Sequence, residues 1–280
     1  MWVKCKGDQS RFLTNEETIT KRLYRAREKF RQLGKEAISV PAAEELPYRL
    51  QPVLKCIYLI FTESYFSLSD ENVMRKDLCQ EAIYLCENLV LHPVTTSPEV
   101  YALLALMYFH ASRFDARMNA QGEMLTFEEQ DRNLWDSQLI KKGSGYLDRS
   151  IGGDYVTAYH MEAMIAAHYS LSDTAKALDW QAILWLYDQL LLMNSSDSVK
   201  INRAYVLSKA YAPAAAIQYL LSLENMKINL FYHVMLGELY KLDGSFELSK
   251  QHFIEAGKLV QPGKIKQAID NKVKELISIQ

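Results

Sequence analysis

The chain has 280 residues, of which 49% are hydrophobic and 24% charged, and its formal net charge is −2. This composition is typical of a soluble globular protein, and the length allows one elongated domain or two ordinary ones. A net charge near zero argues against nucleic-acid binding by the whole surface, although a local basic patch remains compatible with it.

Composition also suggests a compartment. Residues 1–9 are polar, and no apolar run in the sequence is long enough to cross a bilayer, so we expect a cytoplasmic protein with no membrane partner. The cysteines form no CxxC pair, and Cys79 and Cys86 on one helix would lie about 10 Å apart along its axis, too far for a disulfide. We expect reduced, buried thiols at Cys5, Cys56, Cys79 and Cys86.

Helical periodicity dominates the chain. Only 7 prolines and 11 glycines interrupt 280 residues, and alternation typical of strands is scarce, which predicts an all-α protein. The short connections favour antiparallel helix pairs. The predicted helices cover residues 16–33, 47–65, 70–91, 98–112, 130–150, 155–170, 179–193, 198–210, 213–223, 230–242, 246–259 and 264–278.

The periodicity fails at one place within this pattern. Near residues 114–127 we expect a short irregular or hairpin excursion, because Asn119 to Gly122 has the composition of a turn. The last third of the chain carries a repeat instead. A 34-residue tetratricopeptide (TPR) frame starting at Leu230 places five residues at consensus positions, namely Leu236, Gly237, Tyr240, Phe253 and Ala256.

Two departures mark this repeat, since Ser249 replaces the small alanine and His233 the tryptophan. One period earlier, Ala215 and Tyr219 fit the second helix, whereas Asn202 and Arg203 occupy first-helix positions. One good and one degenerate repeat predict a TPR-like α-solenoid.

A cluster of charge follows the excursion. Five charged residues lie within residues 128–136, beside Trp135, and two arginines precede them. Arginine–carboxylate pairs could fix how the excursion packs, or the cluster could be a docking surface. A catalytic or ligand site is a third interpretation, although no nucleophile, metal triad or phosphate loop accompanies the acids. The candidate residues are Arg113, Arg117, Glu129, Gln130, Asp131, Arg132 and Trp135.

No metal or cofactor is predicted. His160 and His168 would lie about 12 Å apart along one helix, too far to share an ion, and packing or interhelical hydrogen bonds are the expected role of both.

The N-terminal segment is basic. Residues 21–31 contain six basic residues and one acid, and Lys21, Arg25 and Lys29 share one helical face. Residues 23, 26, 30 and 33 form an apolar stripe. This pattern fits either an amphipathic helix docked on the rest of the chain or the end of a DNA recognition helix.

Several of these segments resemble one protein family. The chain is similar to the C-terminal extension of extracytoplasmic-function (ECF) sigma factors that carry a TPR-like domain, over roughly residues 11–275. The family usually has Asn and Gly at the positions of Thr62 and Ser64. The likeness rests on residues 57–65, 75–79, 103–107, 110–113, 116–117, 122–123, 130–132, 135–136, 163–168, 179–180, 186–188, 190 and 202–204.

The resemblance implies a domain organisation. An intact family member begins with region 2 and region 4; here region 2 is absent, and residues 16–27 match only the end of region 4. We therefore expect a region 4 remnant at 1–33, a linker at 34–46 and a TPR-like domain at 47–280. Promoter contacts of the intact protein would fall on Thr18, Lys21, Arg22, Arg25 and Arg27. Glu63 and Tyr65 could contact the sigma regions, or could be a helix-end hydrogen-bonding pair.

The expected function is non-enzymatic. The resemblance implies a regulatory and interaction domain whose partners are sigma regions 2 and 4 and the RNA polymerase core, with promoter DNA reached only through the intact sigma factor. A stand-alone TPR-like scaffold that binds a peptide or protein is the alternative. An enzyme that uses Glu128, Glu129 and His110 is the third candidate.

Overall fold

The computed structural model describes most of the chain from residue 41 onward. The described ranges are residues 24–25, 28–29, 31–32, 41–66, 76–117, 119, 125–153, 155–172, 174, 177–224, 226, 228–261 and 263–278. The six described residues before position 41 are helical. The remainder of the predicted region 4 remnant, and residues 34–40 of the predicted linker, lie outside these ranges.

From residue 41 onward, the described part of the chain forms eleven α-helices with short 3-10 turns and no β-strand, which confirms the all-α prediction. They are α1 Leu46–Phe66, α2 Lys76–Leu91, α3 Pro98–Ala111, α4 Ser137–Ser150, α5 Ala158–Leu171, α6 Trp180–Met193, α7 Asp197–Ala210, α8 Pro213–Leu221, α9 Leu230–Leu242, α10 Phe246–Lys258 and α11 Lys264–Ser278. In that same part of the chain, no helix combines the length and the apolar content that crossing a membrane requires.

The predicted helix 130–150 starts seven residues too early. Residues 130–136 form an irregular segment with a 3-10 turn at Arg132–Leu134. Helix α4 begins only at Ser137, because the Asp136 carboxylate accepts the backbone N–H groups of Gln138 and Leu139 at 2.9 and 3.0 Å. This is the geometry of an N-cap, which satisfies two donors of the first turn and fixes the helix start there.

The helices divide between two compact units. The described residues up to Asp115 belong to the first unit together with Trp135–Tyr155, so it contains α1 to α4. The second unit holds Ala116–Leu134 and Val156–Gln280, and it contains α5 to α11. The chain therefore leaves the first unit after α3 and returns to it for α4.

Helix α3 is the centre of the first unit. It packs against α2 and α4 and also touches α1, and every residue from Glu99 to Ala111 except Tyr101 is buried. Buried Glu99 accepts a hydrogen bond from the Gln51 amide of α1. A helix that is apolar on all sides needs cover on all sides, and α1, α2 and α4 supply it.

Two thiols of α2 lie in the same core. Cys79 and Cys86 are buried, as expected, and burial raises the pKa of the Cys86 thiol to about 12. Cys56 of α1 is exposed, so the expectation of a buried thiol was wrong at this position.

In the second unit, consecutive helices pack on one another in chain order from α5 to α11. The hairpin of α9 and α10 is the predicted TPR repeat, and Leu236, Phe253 and Ala256 are buried within it. Gly237 lies against the Phe253 ring, and the Ser249 hydroxyl donates to the Gly237 carbonyl at 2.7 Å. The serine at the alanine position therefore keeps the helices close and also satisfies its own hydroxyl.

The excursion before α4 is irregular where the structure describes it. Residues 114–117, 119 and 125–127 are turns or unclassified backbone. The Leu125 N–H donates to the Arg117 carbonyl at 2.8 Å, which joins the two ends of the excursion.

Two glycines of α4 provide a matched test of packing. A Cβ atom at Gly143 would lie 3.0 Å from two ring carbons of buried Phe109, whereas a Cβ at Gly145 would meet no atom within 4 Å. We expect Gly143→Ala to lower the free energy of unfolding by about 1–2 kcal/mol through overpacking. Gly145→Ala should raise it by about 0.5–1 kcal/mol, because alanine loses less backbone entropy in a helix. Urea denaturation of both variants measures this, and stabilisation by both would contradict the packing.

Candidate functional site

The charged cluster lies mainly in a surface segment of the second unit, residues 125–134, which we name the strap. Its own side chains give it a fixed turn. The Thr126 N–H donates to the Glu129 carboxylate at 2.8 Å, and the Glu129 N–H donates to the Thr126 hydroxyl at 3.1 Å, a reciprocal pair of the capping-box kind. The Gln130 amide donates to the Leu125 carbonyl at 3.3 Å, and Asp131 accepts the Asn133 N–H at 2.9 Å.

Glu128 anchors the strap to α7. Its carboxylate accepts a hydrogen bond from the Lys209 ammonium at 2.7 Å and another from the Tyr205 hydroxyl at 3.4 Å. Burial, and next the negative charge of Glu128, raise the pKa of Tyr205. The carboxylate therefore accepts a hydrogen bond from a neutral tyrosine and forms an ion pair with the lysine. The side chains of Glu128 and Lys209 are 47% and 29% exposed, so solvent and salt weaken their attraction.

Arg132 anchors the strap to the end of α5. Its guanidinium donates to the carbonyl of Ser172 and to that of Tyr169 at 3.4 Å. Carbonyl groups of a last helical turn have no donor within the helix, and the helix dipole makes this end negative. The Arg132 guanidinium supplies both the missing hydrogen-bond donors and a positive charge at this negative helix end. The same guanidinium lies 5.7 Å from the centre of the Phe127 ring within the strap.

An aromatic row runs beneath the strap. Phe127 meets Tyr169 of α5 edge-on at 4.9 Å between ring centres. Tyr169 meets Trp180 of α6 at 6.1 Å, and Trp180 meets Tyr205 of α7 at 6.0 Å, both edge-on. Edge-to-face contacts place positive ring edges on negative ring faces. The row therefore links the strap to three consecutive helices.

The described polar contacts of the strap's charged side chains run to a lysine and a tyrosine, to carbonyl groups and to the strap itself. Glu128 pairs with a lysine, Arg132 donates to carbonyl groups, and the described bonds of Glu129 and Asp131 stay inside the strap. These contacts support the interpretation that the cluster fixes how the irregular segment packs. Arg117, a second-unit residue, is buried.

The rest of the predicted cluster belongs to the first unit. Arg113 lies with its guanidinium 5.1 Å from the centre of the Trp135 ring, and both side chains are buried. The Asp136 N–H donates to the Ser112 carbonyl at 2.8 Å. These contacts join the entry of α4 to the end of α3.

Tyr65 is part of an aromatic cluster in the same unit. Its ring is fully buried and lies 5.5 Å from Phe61, 5.1 Å from His110 and 5.1 Å from Phe114, measured between ring centres. Glu63, two residues earlier on the same helix, is exposed. In this structure Tyr65 is therefore a core residue, and Glu63 is the member of the pair that faces solvent.

The DNA-binding candidates fall at the other end of the chain. Arg25 is helical and exposed. Thr18, Lys21, Arg22 and Arg27 lie outside the described residues.

Three local arrangements were not singled out by sequence reasoning. Arg203 forms an ion pair with Asp188 at 2.6 Å and lies 4.4 Å from the centre of the Tyr219 ring. His160, which was expected to pack or to form interhelical hydrogen bonds, is buried and also accepts the Thr157 N–H at 3.1 Å, so it caps α5, a role that a Thr-x-x-His pattern could have indicated. The third is the histidine pair of α9 and α10, His233 and His252, whose Nδ1 atoms are 3.0 Å apart. Among the described residues, no group of three or more His, Cys, Asp or Glu is arranged to hold a metal ion.

Loss of the Arg132 anchor should destabilise the second unit. We expect Arg132→Gln to lower the free energy of unfolding by about 1.5–3 kcal/mol, because carbonyl groups at the α5 end lose a charged donor. Asp131→Asn is the matched control one position away. It keeps an acceptor for the Asn133 N–H and should change stability by less than about 0.5 kcal/mol. Chemical denaturation of both variants measures this difference, and equal losses of unfolding free energy in the two variants would contradict a stabilising role of Arg132.

The histidine pair should make stability depend on pH. Burial, and next the neighbouring His233, lower the pKa of His252 in the folded chain. The unfolded chain, with an ordinary histidine pKa of about 6.5, then binds more protons, so stability falls as the pH drops through that value.

This effect is measurable by denaturation between about pH 7.5 and about pH 5.5, above the range in which carboxyl groups titrate. The pKa of nearby Glu255 is lowered, chiefly by its hydrogen bond with Lys258, and its effect belongs to lower pH. His252→Gln should flatten the pH dependence in this window. An unchanged slope would rule out His252 as its source.

Comparisons with known proteins find a matching protein family and a relative of the chain. Residues 49–151 match DUF6596, a family of unknown function and a domain found in sigma-factor-like proteins. The chain is 32% identical over 231 residues to an uncharacterized protein of Rhizobium meliloti. That alignment covers 82% of this chain and 54% of the relative, so the chain spans about half the length of the relative. No solved structure matches the chain.

Proposed function

We propose that this chain is the C-terminal regulatory and protein-interaction domain of an ECF-type sigma factor. It acts in the cytoplasm in transcription initiation, through contacts with sigma regions 2 and 4 or with RNA polymerase, and it catalyses no reaction. Promoter DNA is reached only through the intact sigma factor. The observation that carries the proposal is the DUF6596 match over residues 49–151, which adds to the family resemblance of the sequence.

The surface of α1 supports a role in protein binding. From residue 49 onward this helix lies in the matched region, and it buries one face against the rest of the first unit, while its other side exposes Val53, Leu59 and Ile60. Tyr48, one turn before Pro52, is 87% exposed. Clustered apolar side chains on an exposed helix face are typical of interaction sites.

The acids of the strap support the non-enzymatic interpretation. Glu128 is held by Lys209 and Tyr205, and Glu129 is held by the backbone of Thr126. His110, the third residue of the enzyme hypothesis, packs in the aromatic cluster of the first unit. Each side chain therefore has a structural contact that accounts for its position.

A stand-alone scaffold is the second candidate. One observation favours it: Trp185 and Leu192 lie seven residues apart on one side of α6 and are 57% and 82% exposed. An exposed tryptophan is a common anchor for a partner. A scaffold of this kind would bind a peptide unrelated to sigma factors.

Co-purification with separate sigma region 2 and region 4 fragments distinguishes the two candidates. We expect the chain to retain at least one fragment, and Ile60→Glu on α1 to weaken that retention at least about tenfold. Leu192→Glu on α6 is the control with the same change of charge and should leave retention intact. A stand-alone scaffold would bind neither fragment. Promoter-specific initiation by polymerase with these 280 residues alone would contradict the proposal directly.

A further inference from the structure

The strap uses few side chains to hold its place. Phe127 supplies a ring, Glu128 supplies a negative charge, and Arg132 supplies a positive charge four residues later. The side chains of Glu129 and Asp131 are exposed and bond within the strap. The groups that the strap presents to this surface are therefore an aromatic residue, an acid next to it and an arginine four residues after the acid, while buried Gln130 between them donates to the Leu125 carbonyl within the strap.

The surface beneath the strap, which we name the strap seat, complements each of these groups. It consists of the rings of Tyr169, Trp180 and Tyr205, the Lys209 ammonium, and the carbonyls of Tyr169 and Ser172. The ammonium lies at one end, and the carbonyl groups at the negative end of α5 lie at the other. A chain segment bound here has its direction fixed by the order of its own two charges.

The geometry points to the strap seat as a docking site for a partner segment of the same chemistry, in which the strap acts as an exchangeable internal ligand. The partner is a protein segment that forms the same turn as the strap and carries an aromatic residue, an adjacent carboxylate and an arginine four residues after that carboxylate. Such a segment replaces Phe127, Glu128 and Arg132 one for one. The inference concerns the second unit alone and stands independently of the proposed function.

Exchange is physically reasonable for two reasons. First, the Glu128–Lys209 pair is partly exposed, with side-chain exposures of 47% and 29%, so it is screened and can open without stranding a buried charge. Second, the strap is tethered, so it competes for the strap seat at an effective concentration in the millimolar range. A partner that also binds elsewhere on the chain is held at a comparable effective concentration and can displace the strap. The hydrogen bonds that form the turn of the strap join residues within the strap, so a peptide of the same sequence can form the same hydrogen bonds.

A labelled peptide with the sequence of residues 125–134 tests the site in the full chain. In the variant Glu128→Lys, the strap carries a positive charge that Lys209 repels, and the seat becomes available to the peptide. We expect fluorescence anisotropy to give a Kd at least about tenfold lower for this variant than for the unmodified chain. Arg132→Gln in the peptide should weaken its binding at least about fivefold, because the carbonyl groups of α5 lose their charged donor.

Glu224→Lys is the matched control for charge, because it makes the same change at an exposed position elsewhere in the second unit. Peptide binding to this control should equal binding to the unmodified chain. Circular dichroism shows whether each variant remains helical. Equal binding by Glu128→Lys and Glu224→Lys, or no binding by a folded Glu128→Lys variant, would overturn the inference.

A second variant keeps the test decisive if Glu128→Lys fails to fold. Lys209→Glu creates the same repulsion from the side of the seat, and there the peptide with Glu128→Lys should bind while the original peptide should not. The reversal identifies the ion pair as the contact that is exchanged. Binding of both peptides, or of neither, to the Lys209→Glu chain would refute a seat that recognises charge.

Discussion

Close approach of neighbouring helices is the constraint on which both units depend. In the first unit Gly143 of α4 faces the Phe109 ring of α3, and in the second Gly237 of α9 faces the Phe253 ring of α10. A glycine lets a ring lie against the helix backbone, so the pair buries an aromatic side chain without a gap. Helices with small and large residues in register can stack in this way one after another. The other helices of each unit also pack on their neighbours in chain order.

The strap follows from this arrangement, because it uses what stacked helices leave unsatisfied. Helix α5 ends in carbonyl groups that need donors, and Arg132 supplies them. Helix α7 presents Lys209 at its surface, and Glu128 neutralises it. The charged stretch of the sequence therefore positions an irregular segment, and the same contacts form a surface that recognises charges in a fixed order.

The two proposed binding surfaces, the exposed side of α1 and the strap seat, differ in kind. The first unit exposes apolar residues on α1. In the second unit, the strap seat is covered by the strap, a segment of the same chain. A regulatory domain benefits from a surface of the second kind, because an internal ligand sets a threshold that a partner must exceed.

Sequence by itself determined the helices and the repeat. Periodicity placed most helix ends within two residues, and the TPR frame identified Leu236, Gly237, Phe253 and Ala256 as packing positions. These signals are local, since a helix repeats every 3.6 residues and its caps lie in the adjoining residues. Two helix starts were placed too early, at 130 instead of Ser137 and at 155 instead of Ala158, and the first of them overlooked a local signal of this type, the Asp136 cap.

Only the tertiary structure decided which groups meet. Glu128 and Lys209 are 81 residues apart in sequence, Arg132 and the Ser172 carbonyl are 40 apart, and His233 and His252 are 19 apart. No periodicity specifies such pairs, because they depend on which helix ends come together after packing. The acids and the arginine of the strap were visible in the sequence as a cluster. That they turn to a lysine and to carbonyl groups follows from the order in which α5, α6 and α7 stack.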